Sequence, residues 1–300
     1  EVTVLSGDVE YSKSKDNVNA VNRFDISSVI KSIMSTDVLI SGGGSLLQDV
    51  TSLKSLVYYC FIIALAIFYN KKVIIFAQGI GPINNAFAQK IVKMLLKKCD
   101  YVSVRDEKSL NLLRNWGINA NLVCDPVYSI DVASSNSNGV GIQLRDFNTM
   151  NLNLLQKLGL LVNSKFSDRN IKIFSLQKSQ DYELCKRFED ILKTLNPNIN
   201  TQIIEDDIIN NISTLEYFIG MRFHSLLVAL KAGVKTCAID YDIKVDTLAK
   251  EAGLPVVSMD ASENFEEIYN KLINLDTKKL LEYGNSKQFD WTLLDKFLFI

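Results

Sequence analysis

The sequence predicts an α/β protein built from two doubly wound domains with parallel sheets. Three observations carry this expectation. Short β-branched runs alternate with longer helical runs, in the order strand, loop, helix, repeated along the chain, which is the pattern of parallel strands joined by right-handed crossovers. The alternation is interrupted once, by Ser134–Gly139 (SSNSNG), which holds no apolar residue and reads as a linker. The chain has 300 residues, 47% of them hydrophobic, enough for two cores of ordinary size. The expected domains are 1–133 and 139–300.

In the first half, Glu1–Ser6 reads as a buried strand, and Asp25 is placed to cap a helix over Ile26–Met34. Asp37–Ser41 is a short buried strand, followed by glycines and then a helix over Lys54–Tyr69. Strands are expected at Lys72–Ala77, Tyr101–Val104 and Asn121–Cys124, with helices at Asn85–Lys98 and Glu107–Trp116. In the second half, strands are expected at Val140–Leu144, Lys172–Leu176, Thr201–Ile204, Tyr217–Ile219 and Thr236–Ile239. Helices are expected at Leu152–Ser164, Asp181–Thr194, Arg222–Ala232, Lys244–Ala252 and Asn264–Leu275.

Bulk properties exclude several classes. With 33 basic and 34 acidic residues the net charge is −1, so there is no electrostatic case for nucleic acid. The five cysteines are scattered and form no C-x-x-C pair, which argues against a zinc site or a disulfide framework and fits a reducing cytoplasm. The longest apolar stretch, Leu56–Tyr69, has fourteen residues. A bilayer needs about 20, so the stretch reads as a buried helix. The chain opens with no signal-peptide pattern.

In doubly wound sheets ligands collect at the carboxyl ends of the strands, and two such domains place the ligand in the cleft between them. The chemistry-bearing residues are therefore expected just after strands. Gly42, Gly43 and Gly44 follow one. Glycines there let backbone N–H groups approach a phosphate ahead of a helix N-terminus; the bland alternative is a tight turn. Gln78 and Gly79 open the loop QGIGP, either a rigid turn or a contact to a sugar hydroxyl. Arg105 follows Tyr101–Val104, and its structural alternative is a salt bridge with Asp106 or Glu107. Arg145 ends the first strand of the second half, where a guanidinium fork suits phosphate or carboxylate. Gln177 and Asp181 follow another strand, and Lys244 opens a helix beside Asp242.

The sharpest feature is Met221-Arg222-Phe223-His224-Ser225. His224 is the single histidine of the chain and stands two residues from Arg222 at a strand-to-helix junction. One histidine also excludes a multi-histidine metal site. No G-x-S-x-G elbow is present.

At these residues the sequence resembles the polysaccharide pyruvyl transferases, in particular the CsaB type of bacterial cell-wall assembly. The matching stretches are SGGGSLLQDVTSLKSLVYY (41–59), KKVIIFAQGIGPI (71–83), VSVRDEKS (102–109), VCDPV (123–127), GIQLRDF (141–147), GMRFHSLLVALKAGV (220–234) and YDIKV (241–245). The resemblance implies a GT-B-like architecture, with two Rossmann-like domains facing a cleft. It implies a cytoplasmic transferase at the inner face of the cell membrane. Phosphoenolpyruvate would be the donor, and N-acetylmannosamine in a lipid-linked glycan precursor the acceptor. The product would be a 4,6-pyruvate ketal that serves surface-layer anchoring. Contact with the membrane would be peripheral. Members of the family begin with a strand and a glycine-rich loop that would precede Glu1.

In that chemistry His224 is the general acid or base, since imidazole titrates near neutral pH. Arg222, Arg145, Lys244 and Arg105 hold the donor's anionic groups. Gly42–Gly44, Gln78, Gly79, Gln177 and Asp181 line the acceptor side or the cleft. The reaction requires no metal or organic cofactor. The rival readings are a GT-B glycosyltransferase or sugar-nucleotide epimerase, and an inactive glycan- or phosphate-binding module. One fold hosts many activities, so fold alone does not separate them.

Overall fold

The computed structural model describes residues 1–50, 52–133, 138–146 and 152–298. Most of the expected linker, residues 134–137, lies outside them. The chain divides into two compact units, Glu1–Pro126 together with Phe289–Ile300, and Val127–Gln288.

The first unit opens with β1 (Thr3–Ser6), α1 (Val9–Asp16), β2 (Asn19–Asn22) and α2 (Ile26–Ser35). It continues with β3 (Val38–Gly42), α3 (Leu53–Phe68), β4 (Lys72–Gln78), α4 (Ala86–Leu96), β5 (Tyr101–Val104), α5 (Glu107–Asn115) and β6 (Asn121–Leu122). All its strand pairs are parallel. β1 pairs only with β2, and the other strands run in the simple order β3-β4-β5-β6. Asp25 caps α2, as its position predicts, accepting from the Ser27 and Ser28 N–H groups. On one face of the larger sheet Val73, Ile75, Val102 and Val104 pack with Leu56, Ile63, Val92 and Leu96 from α3 and α4. On the other, Ile74, Phe76 and Tyr101 pack with Phe289 and Leu294.

Two burial expectations fail here. β1 is exposed over Thr3 and Val4 rather than buried. α3 is not a buried helix: it buries Leu56, Cys60, Ile62, Ile63 and Ala66 but turns Leu53, Val57, Phe61 and Phe68 to solvent. Its apolar composition on both sides hides the distinction from a sequence reading.

The second unit holds β7 (Gly139–Gln143), α6 (Leu152–Phe166), β8 (Ile171–Phe174), α7 (Lys178–Leu195), β9 (Thr201–Ile204) and α8 (Ile208–Ser213). There follow β10 (Leu215–Gly220), α9 (Phe223–Lys231), β11 (Lys235–Asp240), α10 (Ile243–Ala252), β12 (Val256–Ser258), α11 (Phe265–Ile273) and α12 (Thr277–Asn285). Its six parallel strands take the order β12-β11-β10-β7-β8-β9. This is the doubly wound order, with the direction of winding reversing between β7 and β10. Alternate strand residues feed two cores: Ile142, Ile173 and Ile219 pack against α6, α7 and α11, and Phe174, Phe218 and Ala238 against α8, α9, α10 and α12. At the centre Gly141 is hemmed in. A Cβ there would lie 2.4 Å from a Leu215 methyl and 2.7 Å from the Phe218 ring.

The last helix, α13 (Thr292–Leu298), belongs to the first unit rather than to the domain that precedes it in sequence. The return buries Phe289, whose ring meets Phe76 edge-on at 4.8 Å, while the half-exposed Trp291 stacks on Phe76 at 5.9 Å.

Candidate functional site

In the second unit the reversal between β7 and β10 opens a crevice at their carboxyl ends, the place where doubly wound sheets take ligands. Gln143 and Gly220 are paired across it. Arg145 and Arg222 each stand two residues beyond that pair. The Arg145 N–H donates to the Met221 sulfur at 3.2 Å, tying the two strand ends together. His224 follows in the first turn of α9, exposed, with its ring edge-on to Phe223 at 5.5 Å. Arg222 is the N-cap residue of α9, so both side chains stand at the positive end of a helix.

The turn is held by Gln143, which sequence reasoning passed over. Gln143 is fully buried. Its Oε1 accepts from the N–H groups of Met221 (3.1 Å) and Arg222 (2.7 Å), and its Nε2 donates to the Leu144 carbonyl at 2.8 Å. A lone amide in the apolar run VGIQL is the signal that points to it, since a polar group buried in a central parallel strand must find partners.

Arg222 and Asp181 were expected separately, and the fold pairs them. Arg222 Nη2 donates to both Asp181 oxygens at 2.8 and 2.9 Å. Asp181 is fully buried and also accepts from the Gln177 N–H at 3.0 Å. Asp181 thus fixes the guanidinium rather than facing solvent. Arg222 Nε and the Ser175 hydroxyl are buried without a hydrogen-bond partner among the described residues. Gln177 is exposed at the start of α7. Arg145 Nη1 donates to the Tyr241 hydroxyl at 3.2 Å, and its guanidinium lies over that ring at 5.6 Å. Lys244 is exposed in the first turn of α10, where its backbone N–H donates to the capping Asp242 at 2.8 Å.

In the first unit the glycine loops form a second cluster at the strand ends. Gly43 and Gly44 adopt φ of +54° and +66°, the left-handed region open to glycine. The Gly79 N–H donates to the Gly44 carbonyl at 2.9 Å, and Gly81 N–H to Leu47 at 2.8 Å, so the two loops are laced together. A Cβ on Gly79 would sit 2.6 Å from the Ser45 hydroxyl. Gln78 is fully buried; its Nε2 donates to the Ser41 carbonyl (2.7 Å) and hydroxyl (2.8 Å), while its Oε1 has no partner among the described residues. The preceding Ala77 has φ +47°, a strained conformation for a residue with a Cβ. It falls where the β4–β5 register slips between Ile75 and Gln78.

Arg105 is engaged, though not with the neighbours its sequence suggests. Its Nη1 forms an ion pair with Asp125, from the VCDPV segment, and both side chains are largely buried. Its Nη2 reaches the Ser45 hydroxyl at 3.4 Å. Asp106 instead caps α5, accepting from the Ser109 N–H and hydroxyl at 2.8 Å. Asp49 accepts from the N–H groups of Asn84 and Asn85 at 2.8 Å. The Asn84 N–H first, and then that of Asn85, hold its carboxyl below the usual carboxylate range. Among the described residues no group of three or more metal-ligating side chains comes together.

Comparison with solved structures gives the class of protein. Anabaena Alr3699/HepE, in complex with UDP and glucose, superposes with a TM-score of 0.61 over 99% of this chain and 89% of its own, at 12% identity. S. aureus MnaA, in a co-structure with UDP, gives 0.59 over 94% and 82%, at 10% identity. The chain spans about half the length, 52%, of S. aureus TarM, with 78% of this chain covered, 13% identity and a TM-score of 0.49. The fold is the α/β, GT-B-like one of glycosyltransferases and epimerases. Among curated proteins none matches the sequence. The sequence model of the polysaccharide pyruvyl transferase family matches residues 1–243, and the chain belongs to that family.

Proposed function

We propose that this protein transfers the pyruvyl group of phosphoenolpyruvate to two hydroxyls of a sugar, closing a cyclic pyruvate ketal. The observation that carries the reading is the gathering of Arg145, Arg222 and His224 at the switch point of the second sheet in a chain of the pyruvyl transferase family. Phosphoenolpyruvate carries a carboxylate and a phosphate, and two guanidiniums borne on neighbouring strand ends, one of them at the N-terminus of α9, complement both.

Ketal formation needs a proton on the donor's methylene carbon, which makes C2 an oxocarbenium-like centre. One sugar hydroxyl adds there, the C2–O bond to phosphate breaks, and the second hydroxyl closes the ring. Of the two hydroxyl protons, one replaces the proton delivered to carbon and the other leaves with the phosphate. His224 is the group that moves these protons. Arg222, fixed by Asp181, and Arg145, steadied on Tyr241, offset the charge that builds on the departing phosphate. Lys244 assists at the same edge. Arg105 in this reading organises its own loop through Asp125, and Gly42–Gly44, Gln78 and Gly79 serve the acceptor. The acceptor is N-acetylmannosamine in a lipid-linked cell-wall precursor, as for the CsaB type. The reaction then runs in the cytoplasm at the inner face of the membrane.

The test is incubation with phosphoenolpyruvate and a synthetic lipid-linked disaccharide containing N-acetylmannosamine. Phosphate release and mass gain of the acceptor are followed together. Both are expected, and His224→Ala is expected to lower the rate by about 10²–10⁴ with the fold intact. Arg222→Lys is expected to weaken donor binding, because an ammonium cannot reproduce the fork. Turnover of a UDP-sugar with none of phosphoenolpyruvate would favour the second reading, a glycosyltransferase or epimerase, to which the likeness to UDP-bound HepE and MnaA points.

A further inference from the structure

The outer side of α3 and α4 belongs to neither cluster described above. α3 turns Leu53, Val57, Phe61 and Phe68 outward with exposures of 46, 59, 38 and 76%. At 100° per residue these four fall within an arc of about 80°. A helix lying on a globular protein ordinarily fills that stripe with charged and polar residues. α4 packs beside α3. Because β3, β4 and β5 step in one direction, right-handed crossovers put both helices on the same side of the sheet. α4 adds Phe87, 73% exposed, and Met94, 54% exposed.

The charge pattern of this face differs from that of the whole chain. From Val50 to Cys99 the sequence holds lysines but not one Asp or Glu, in a protein whose net charge is −1. Lys54 on α3 and Lys90 on α4 are exposed, as are Lys97 and Lys98 just beyond it. No ion pair reaches any of the four among the described residues. On α4, Phe87, Lys90 and Met94 share one side of the helix, so ammonium groups border the apolar stripe.

An apolar stripe rimmed by lysines, on helices that carry no carboxylate of their own and with Asp49 only at the N-terminal edge of α4, complements the headgroup layer of an anionic bilayer. Aromatic and aliphatic side chains enter the acyl boundary while the ammonium groups meet lipid phosphates. A second copy of the same face is a poor match, since it would set lysines against lysines. We propose that α3 and α4 form a docking surface that holds the first unit on an anionic membrane. This surface is argued from exposure and charge alone. It would bind lipid even if the reaction proposed above were wrong, and pyruvyl transfer to a water-soluble acceptor would survive its loss.

The experiment is co-sedimentation of the whole chain with vesicles of mixed phosphatidylglycerol and phosphatidylcholine, against vesicles of phosphatidylcholine alone. Binding is expected only to the anionic vesicles, and raising salt to about 0.5 M is expected to release the protein. The double substitution Lys90→Glu/Lys97→Glu should weaken binding by about 25-fold or more. Phe68→Ser/Phe87→Ser should weaken it by about tenfold or more. These side chains are exposed, so circular dichroism should match the parent in both variants. Equal binding to uncharged vesicles, or anionic binding that both variants retain, would overturn the proposal. So would a dimer in sedimentation velocity that the phenylalanine pair dissolves, because the face would then belong to a second copy.

Discussion

Two buried glutamines end strands in the two units, and they are used in opposite ways. Gln143, at the end of β7, engages both its amide oxygen and its amide nitrogen, with Met221, Arg222 and Leu144 backbone partners. Gln78, at the end of β4, satisfies only its Nε2, on Ser41, and leaves its Oε1 without a partner among the described residues. The strand orders account for the difference. In the second unit β7 borders the reversal of winding, so the next strand at its side, β10, is distant in sequence and a long-range clamp is needed to align two strand ends. In the first unit β3, β4 and β5 are neighbours both in sequence and in space, and their loops are already laced by backbone bonds. The same residue type is a clamp at a switch point and a half-used amide in a simple progression.

Three measurements break or sharpen that contrast. The largest effect is expected for Gln143→Met, which takes the acceptor from the Arg222 N–H and leaves the Met221 N–H only the backbone carbonyl of residue 143, at 3.2 Å. An orphaned group costs about 1–3 kcal/mol, so denaturant titration should show a loss of about 1–3 kcal/mol, with weakened phosphoenolpyruvate binding. Gln78→Met removes two donor contacts but also an unsatisfied oxygen, and is expected to cost within about 1 kcal/mol. Equal losses at the two sites would erase the distinction. The smallest effect concerns Asp49, which braces the QGIGP loop. Its folded pKa lies below its unfolded value. Its contribution is therefore fully present above about pH 4 and is lost as pH falls through the folded value. Asp49→Asn should flatten the acid limb of a stability-against-pH curve, and an unchanged limb would remove Asp49 from that role.

Much of the frame was legible in the sequence because strand-loop-helix alternation is a local signal. β5 and β9 were expected at the bounds they have, and the other expected strands after β1 lie within a few residues of theirs. α1 and β2 are not legible because the few apolar residues of VEYSKSKDNVNAVN, Val9, Tyr11, Val18, Ala20 and Val21, sustain neither a helical nor a strand period; Asp8 caps the helix by accepting from the Tyr11 N–H. The candidate arginines and the histidine were found where strands end, a position that local pattern supplies. Their partners were not. Asp181 lies 41 residues from Arg222, and Gln143 lies 79 from it. Arg105 chose Asp125, 20 residues away, over adjacent carboxylates. Pairings of that range depend on which strands become neighbours, and a sequence does not state strand order.

One contact at the far end of α9 bears on how the crevice behaves in motion. Gly284 of α12 lies against the α9 backbone so closely that a Cβ there would fall 2.7 Å from the Lys231 nitrogen. The buried Lys231 ammonium donates to the Tyr128 carbonyl at 2.8 Å and to the Asn285 side chain at 3.0 Å. With Gln143 gripping its beginning, α9 is a short beam clamped at both ends. A beam so mounted resists bending and sliding, and low-frequency sway at its tip is suppressed. Arg222 and His224 ride on that tip, and Asp181 pins the first of them, so adjustment to an incoming molecule falls to rotation of the exposed His224 side chain, on the picosecond-to-nanosecond scale, rather than to slower travel of the helix.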